Sequence, residues 1–287
     1  MLEMIINPKV AERKPWEMFF IGLFYAAIAV LIPYFIFGSD YVNSKYLSWI
    51  SVMFLVILTT PFIYYTIKLE EKKDKVYDGQ VKILQEHGKA LAAFLWLFLG
   101  FVVAFSILYI CLPHGGNLFK AQIEVFCQIN RQADFNNCLN QYGISTSEKI
   151  TGAVTANINR ALSIFSNNVQ VLILTLILSL LFGAGAIFVL AWNASVIAAA
   201  IKIFVQSDIS KLGYGLGRYM IHGLPEIAAY FVGALAGGIL SVAIIRKEMK
   251  TERFWQICQD VIVLVIAALI ILLISAGIEV FITTKLF

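Results

Sequence analysis

Apolar positions along this chain are gathered into long blocks separated by short charged segments. Five blocks, Met18–Phe37, Leu47–Ile67, Ala90–Leu112, Leu224–Ile245 and Ile257–Ile282, carry almost no formal charge. Each reaches about 20 residues, which an α-helix rising 1.5 Å per residue needs to cross a hydrocarbon core of about 30 Å. A sixth block differs: from Val169 to Val205 there are 37 residues whose only charge is Lys202. It reads as a tight helical hairpin turning near Gly183-Ala184-Gly185. One long helix with an interfacial tail, or a re-entrant segment near Trp192, are the other readings.

Charge placement favours the hairpin. Arg246, Lys247, Lys250 and Arg253 crowd the 11 residues 246–256, and basic residues in short loops beside helix ends orient membrane proteins with their positive loops inside. Seven spans keep that loop on the same side as Lys9, Arg13 and Lys14 and as the charged connection Lys68–Lys89. The expectation is an all-α polytopic helical membrane protein of seven spans, with the N-terminus inside and the C-terminus outside. Residues 1–89 then hold two N-terminal spans and a charged cytoplasmic segment, in which Glu71 and Lys75 have the i, i+4 order of an exposed helix. Residues 90–287 form a five-helix membrane domain with an exterior loop, 113–168.

Composition agrees: 60% of residues are AVILMFWYC and 14% charged, with a mean hydropathy of +0.82. Soluble domains hold about 45–50% apolar and about 25% charged residues, so this chain has no adequate polar coat. Disordered and disulfide-scaffold classes fall with the same numbers. The net charge of +4 sits beside apolar segments, where lipid head groups and topology explain it and nucleic acid does not. The run from Met18 exceeds a signal-peptide core of about 7–15 residues, which reads as a retained first span. The partners expected are the lipid bilayer and other membrane or envelope proteins, and the location is a multi-pass position in the cell membrane.

Few residues carry candidate chemistry. Cys127 and Cys138 are the two cysteines of the exterior loop, and an exterior compartment permits a disulfide between them; two independent thiols are the alternative. Cys111 and Cys258 read as apolar filler. Ser145 or Ser147 has the character of a helix cap before Ala161. Walker A, nucleophile-elbow, HExxH and CxxC patterns are absent, and Gly213-Tyr214-Gly215-Leu216-Gly217 lacks the strand that would make it a nucleotide loop. It reads as a connection before a helix. The sequon Asn193-Ala194-Ser195 is buried in apolar sequence and is discounted as a glycosylation acceptor.

His222-Gly223-Leu224-Pro225-Glu226 is the most informative stretch. Pro225 suits the first turn of a helix and Glu226 suits the positive helix end. Ionisable groups near hydrocarbon are costly and find partners, so Asn193, His222, Glu226 and Glu279 form a candidate polar cluster. It is open to four readings: structural packing, a conducting or solute-binding pathway, a metal site, and intramembrane catalysis. Structural packing leads, so no catalytic, metal or cofactor site is assigned. Gly183 and Gly185, with the GxxxG pair Gly233 and Gly237, provide small surfaces for close helix packing, within the monomer or between the copies of a homodimer.

The portion from about Ala90 to Ile282 resembles the stage II sporulation protein M family, the domain-of-unknown-function 95 membrane proteins. The resemblance rests on Phe165-Ser166-Asn167-Asn168, on Trp192-Asn193-Ala194, and on His222-Gly223-Leu224-Pro225-Glu226 opening a Gly-rich helix. It marks Asn167, Asn168, Gly223 and Pro225 as motif positions. It implies a five-helix unit and transfers no cofactor; the family's sporulation member looks like a platform that works with separate peptidoglycan hydrolases, while many relatives occur in organisms that form no spores. The resulting expectation is a non-enzymatic scaffold or assembly component in cell-envelope or membrane remodelling. The alternative is a transporter, channel or lipid conduit using the cluster around His222 and Glu226.

Overall fold

The computed structural model describes residues 8–38, 46–74, 80–112, 118–130, 135–141, 157–182, 186–205, 209–245, 249, 251–283 and 286. Among these, no strand occurs. The helices are α1 (Pro8–Arg13), α2 (Met18–Phe37), α3 (Leu47–Asp74), α4 (Gln80–Cys111), α5 (Lys120–Asn130), α6 (Phe135–Gln141), α7 (Asn157–Phe182), α8 (Ala186–Val205), α9 (Leu212–Ile245) and α10 (Glu252–Gly277), the last continuing into a π-helix, Ile278–Thr283. Seven of them, α2, α3, α4, α7, α8, α9 and α10, are long and apolar enough to cross a membrane. The protein is an all-α polytopic membrane protein.

The 37-residue apolar block is divided, because α7 ends at Phe182 and α8 starts at Ala186. One long helix is thereby replaced by two spans; Gly183 and Gly185 lie outside the described residues. The two helices share a short connection but not their main partners. α7 packs chiefly on α9, and α8 on α4.

The core is set by aromatic and small residues. Phe94 of α4 stacks on Phe231 of α9 at 4.6 Å between centroids and meets Phe62 of α3 edge-on at 5.9 Å, the arrangement that ring quadrupoles prefer. Trp192 lies in a regular helix, stacked on Trp49 of α3 at 4.4 Å, so the re-entrant reading is not needed. The N-terminal spans pack on the rest of the bundle: Gly22 of α2 faces the Leu97 carbonyl and the Gly100 Cα of α4. A Cβ at either glycine would collide with backbone of the opposite helix. Such close approach yields dispersion and packing, the forces that associate helices in lipid.

Local signals explain some boundaries. Thr251 caps α10 in an extended conformation, its hydroxyl accepting from the Phe254 N–H at 3.3 Å, with Glu252 in the first turn. The cap and the acidic residue both suit a helix N-terminus. Asn157–Asn168, expected at the end of the exterior loop, form the first turns of α7.

In the segment between α4 and α7, Phe119 stacks on Tyr109 at 4.2 Å, and buried Gln122 donates to Ser195 Oγ of α8 at 3.0 Å. Cys127 and Cys138 are joined by a disulfide that ties α5 to α6. Cys111 is exposed and Cys258 partly buried, both free thiols. Ser145 and Ser147 lie outside the described residues.

Candidate functional site

α9 begins at Leu212, thirteen residues ahead of Pro225, so the expected start at Pro225 is corrected. Gly213–Gly217 belong to the helix and do not connect to it. Gly215 explains why: it is buried against Phe204 and Val205 at the end of α8, so the first turns of α9 are held by packing. Pro225 is a mid-helix proline. It lacks the N–H that would bond the Ile221 carbonyl, and membrane helices tolerate such breaks where neighbouring hydroxyls serve the backbone. Ser275 of α10 does so one residue along, donating to the His222 carbonyl at 2.7 Å.

The surrounding side chains form a junction of three spans. Tyr230 OH, one turn beyond Glu226, donates to Glu226 Oε1 at 2.7 Å. His222 Nδ1 lies 3.3 Å from Thr283 Oγ1 in the π-helix, and Thr283 Oγ1 reaches the Ile278 carbonyl at 3.3 Å. Glu279 of the π-helix is within electrostatic reach of both Glu226 and Tyr230. From α7, buried Asn168 lies beside the Glu226 carboxylate. Its Nδ2 has no hydrogen bond of full geometry, and its Oδ1 accepts from Asn167 Nδ2 at 3.4 Å.

Glu226 and Glu279 are therefore brought within electrostatic reach of each other, while His222 reaches the π-helix only through Thr283; all three are partly buried. Asn193 stands apart. Its Nδ2 donates to the Val189 carbonyl at 2.7 Å, one turn back in its own helix, which satisfies a polar side chain in an apolar helix without a partner span. Asn168, Tyr230, Ser275 and Thr283 complete the junction. Asn168 was marked by the family motif, and Tyr230 had a legible signal in standing four residues after Glu226 on one helix face; Ser275 and Thr283 had none. Of the other motif positions, Asn167 is exposed and Gly223 is buried near Ile197 and Met220.

Gly233 and Gly237 pack within the monomer. A Cβ at Gly237 would stand 2.6 Å from the Leu176 carbonyl of α7, and one at Gly233 would collide with the Leu172 side chain. At the same contact, buried Ser179 donates to the Ala234 carbonyl at 2.6 Å. Asn168, Leu172, Leu176 and Ser179 thus follow α9 in the same direction as Glu226, Gly233 and Gly237, so the two spans run parallel.

The junction offers two carboxylates, one imidazole, a phenol, hydroxyls and an amide. No group of three or more His, Cys, Asp or Glu suited to a metal occurs among the described residues. Chemically the arrangement links spans through hydrogen bonds. A family model described as Stage II sporulation protein M matches residues 90–284; the chain belongs to that family. No curated protein and no solved structure matches the chain.

Proposed function

We propose that, as a member of the stage II sporulation protein M family, this protein is a non-enzymatic scaffold for cell-envelope or membrane-remodelling machinery. It sits in the cell membrane with its N-terminus inside and C-terminus outside. The observation that carries the reading is the junction itself. Tyr230 is bonded to Glu226, His222 to Thr283, and Ser275 to the backbone of α9. The last two bonds tie α9 to α10 and its π-helix, and Tyr230 satisfies Glu226 within α9 itself, a pairing of polar groups that suits a rigid platform. The disulfide-tied α5–α6 segment, anchored through Gln122 to Ser195, gives the platform an ordered surface for envelope proteins.

A transporter, channel or lipid conduit is the second reading. What favours it is that Glu226 and Glu279 are only partly buried and that Glu279 sits on a π-helical turn, a backbone form frequent at functional sites. Reconstitution separates the two. For a scaffold, vesicles with the wild-type protein or Glu226→Gln leak ions, solutes and fluorescent lipid no faster than empty vesicles, and Glu226→Ala lowers the unfolding temperature. Flux that depends on the wild-type protein and changes in Glu226→Gln, with folding intact, overturns the scaffold.

A further inference from the structure

The bundle covers α7 least: 17% of its apolar window is buried, the smallest share of the seven spans. Its inner side is accounted for by Asn168, Leu172, Thr175 and Ser179, all buried. Its outer side carries Ser163, Ser166, Asn167 and Gln170, followed by Ile173 and Leu174, all exposed. Steps of three, four and one residue place these on one continuous helical face. Four uncharged polar side chains thus look outward within the span Ala161–Leu180, near the level of the Asn168–Glu226 contact; Asn167 Nδ2 reaches Asn168 Oδ1, and in lipid the remaining donors and acceptors of this face call for partners from outside the chain.

Two familiar occupants fit poorly. A path for lipid head groups would need polar lining across about 30 Å of hydrocarbon. Ser163 to Gln170 covers only about 10 Å at 1.5 Å per residue and ends against Ile173 and Leu174. The GxxxG pair of α9, the other candidate dimer surface, is already occupied by α7 of the same chain.

We propose that the outer face of α7 is where two copies of this chain meet, as a parallel dimer with its twofold axis along the membrane normal. Copies inserted in the same direction can be related by a twofold axis only along that normal, so every position on α7 faces itself at equal depth. Such a face must be self-complementary. Carboxamides satisfy this, because each has a carbonyl acceptor and N–H donors: Asn167 pairs with Asn167 and Gln170 with Gln170 of the other copy. A charged residue would repel its own copy, and this stripe holds none. Ile173, Leu174 and Ile177 pack below. Asn167 also donates to Asn168, which connects the dimer face to the junction at Glu226.

The test uses the full chain in lipid vesicles, with Cys111→Ser and Cys258→Ser removing the free thiols and leaving the disulfide. Ser166→Cys, Gln170→Cys and Leu174→Cys should each cross-link into dimers on mild oxidation. Ile266→Cys, 51% exposed on α10, should not. In energy-transfer measurements between labelled copies, Asn167→Leu with Gln170→Leu removes two carboxamide pairs and should weaken association by about 8- to 900-fold, from roughly 0.6–2 kcal/mol for each interhelical hydrogen bond. Both positions face outward, and circular dichroism with an unchanged unfolding temperature verifies that losing the Asn167–Asn168 contact leaves the variant folded. The proposal is overturned if cross-linking is no greater on α7 than at Ile266, or if the double leucine variant associates as the wild type does. It also fails if a nitroxide on lipid chains quenches a probe at residue 170 as strongly as one at residue 266.

Discussion

Gly237→Ala tests how tightly α7 is seated on α9. The new Cβ would stand 2.6 Å from the Leu176 carbonyl oxygen and 3.0 Å from Ser179 Cβ, where ordinary contact begins near 3.4 Å. The obstacle is helix backbone, which cannot rotate away, so the two spans must part by about 0.8 Å. The Ser179–Ala234 bond, now 2.6 Å, would stretch to about 3.4 Å, beyond the 2.5–3.0 Å range of O–H···O bonds. Overpacking of a close interface costs about 1–3 kcal/mol and loss of an interhelical hydrogen bond about 0.6 kcal/mol. Together these destabilise by roughly 2–4 kcal/mol. Gly213→Ala is the control: nothing lies within 4 Å of its added Cβ, and alanine favours a helix over glycine by about 0.5–1 kcal/mol. Unfolding of both variants in mixed micelles, followed by circular dichroism across a denaturing-detergent titration, should separate them clearly. If Gly237→Ala unfolds as the wild type does and instead alters oligomer size, the glycine pair serves contacts between copies and the intramolecular seating is refuted.

Three further outcomes are expected. Tyr230→Phe removes the donor to Glu226 and should destabilise by about 1–3 kcal/mol, the cost of an unsatisfied buried polar group; a double-mutant cycle with Glu226→Gln should show coupling, and strict additivity would refute the pairing. Reduction, or Cys127→Ser with Cys138→Ser, should remove about 3 kcal/mol from the α5–α6 segment in the chain-entropy treatment, seen as faster proteolysis between α4 and α7 with the spans intact. A reporter fused after Phe287 should be exterior and one before Met1 interior; finding both on one side would refute the alternation of seven spans.

The spans were legible because lipid imposes a length and an apolar composition that few other structures share. Even the division of that block into α7 and α8 was readable, since 37 apolar residues exceed one crossing. The start of α9 was not. Pro225 followed by Glu226 looks the same whether it opens a helix or lies inside one, and the deciding fact is Gly215 packing on Phe204 and Val205, a contact distant from the proline. The junction was half legible. Histidine and glutamates announce themselves in apolar sequence; Glu279 lies within reach of Glu226, and His222 joins the same region through Thr283. Asn193 satisfies itself on the Val189 carbonyl, whereas Ser275 and Thr283 join the junction although their hydroxyls look like any others in a span. The π-helix at Ile278–Thr283 had no sequence signal, because one widened turn changes no periodicity that six residues can display.

The length of α9 sets where soluble molecules can touch this protein. Its 34 residues extend about 50 Å at 1.5 Å per residue, and even a tilt of about 40°, the upper end for membrane helices, leaves some 39 Å along the normal against about 30 Å of hydrocarbon. Basic residues follow Ile245 directly, which pins that end at the head groups, so the surplus emerges at the other. The turns bearing Tyr214 and Arg218 therefore rise above the lipid as a short rigid post, braced by Phe204, and a binder raised against that post could grip the protein without entering the bilayer.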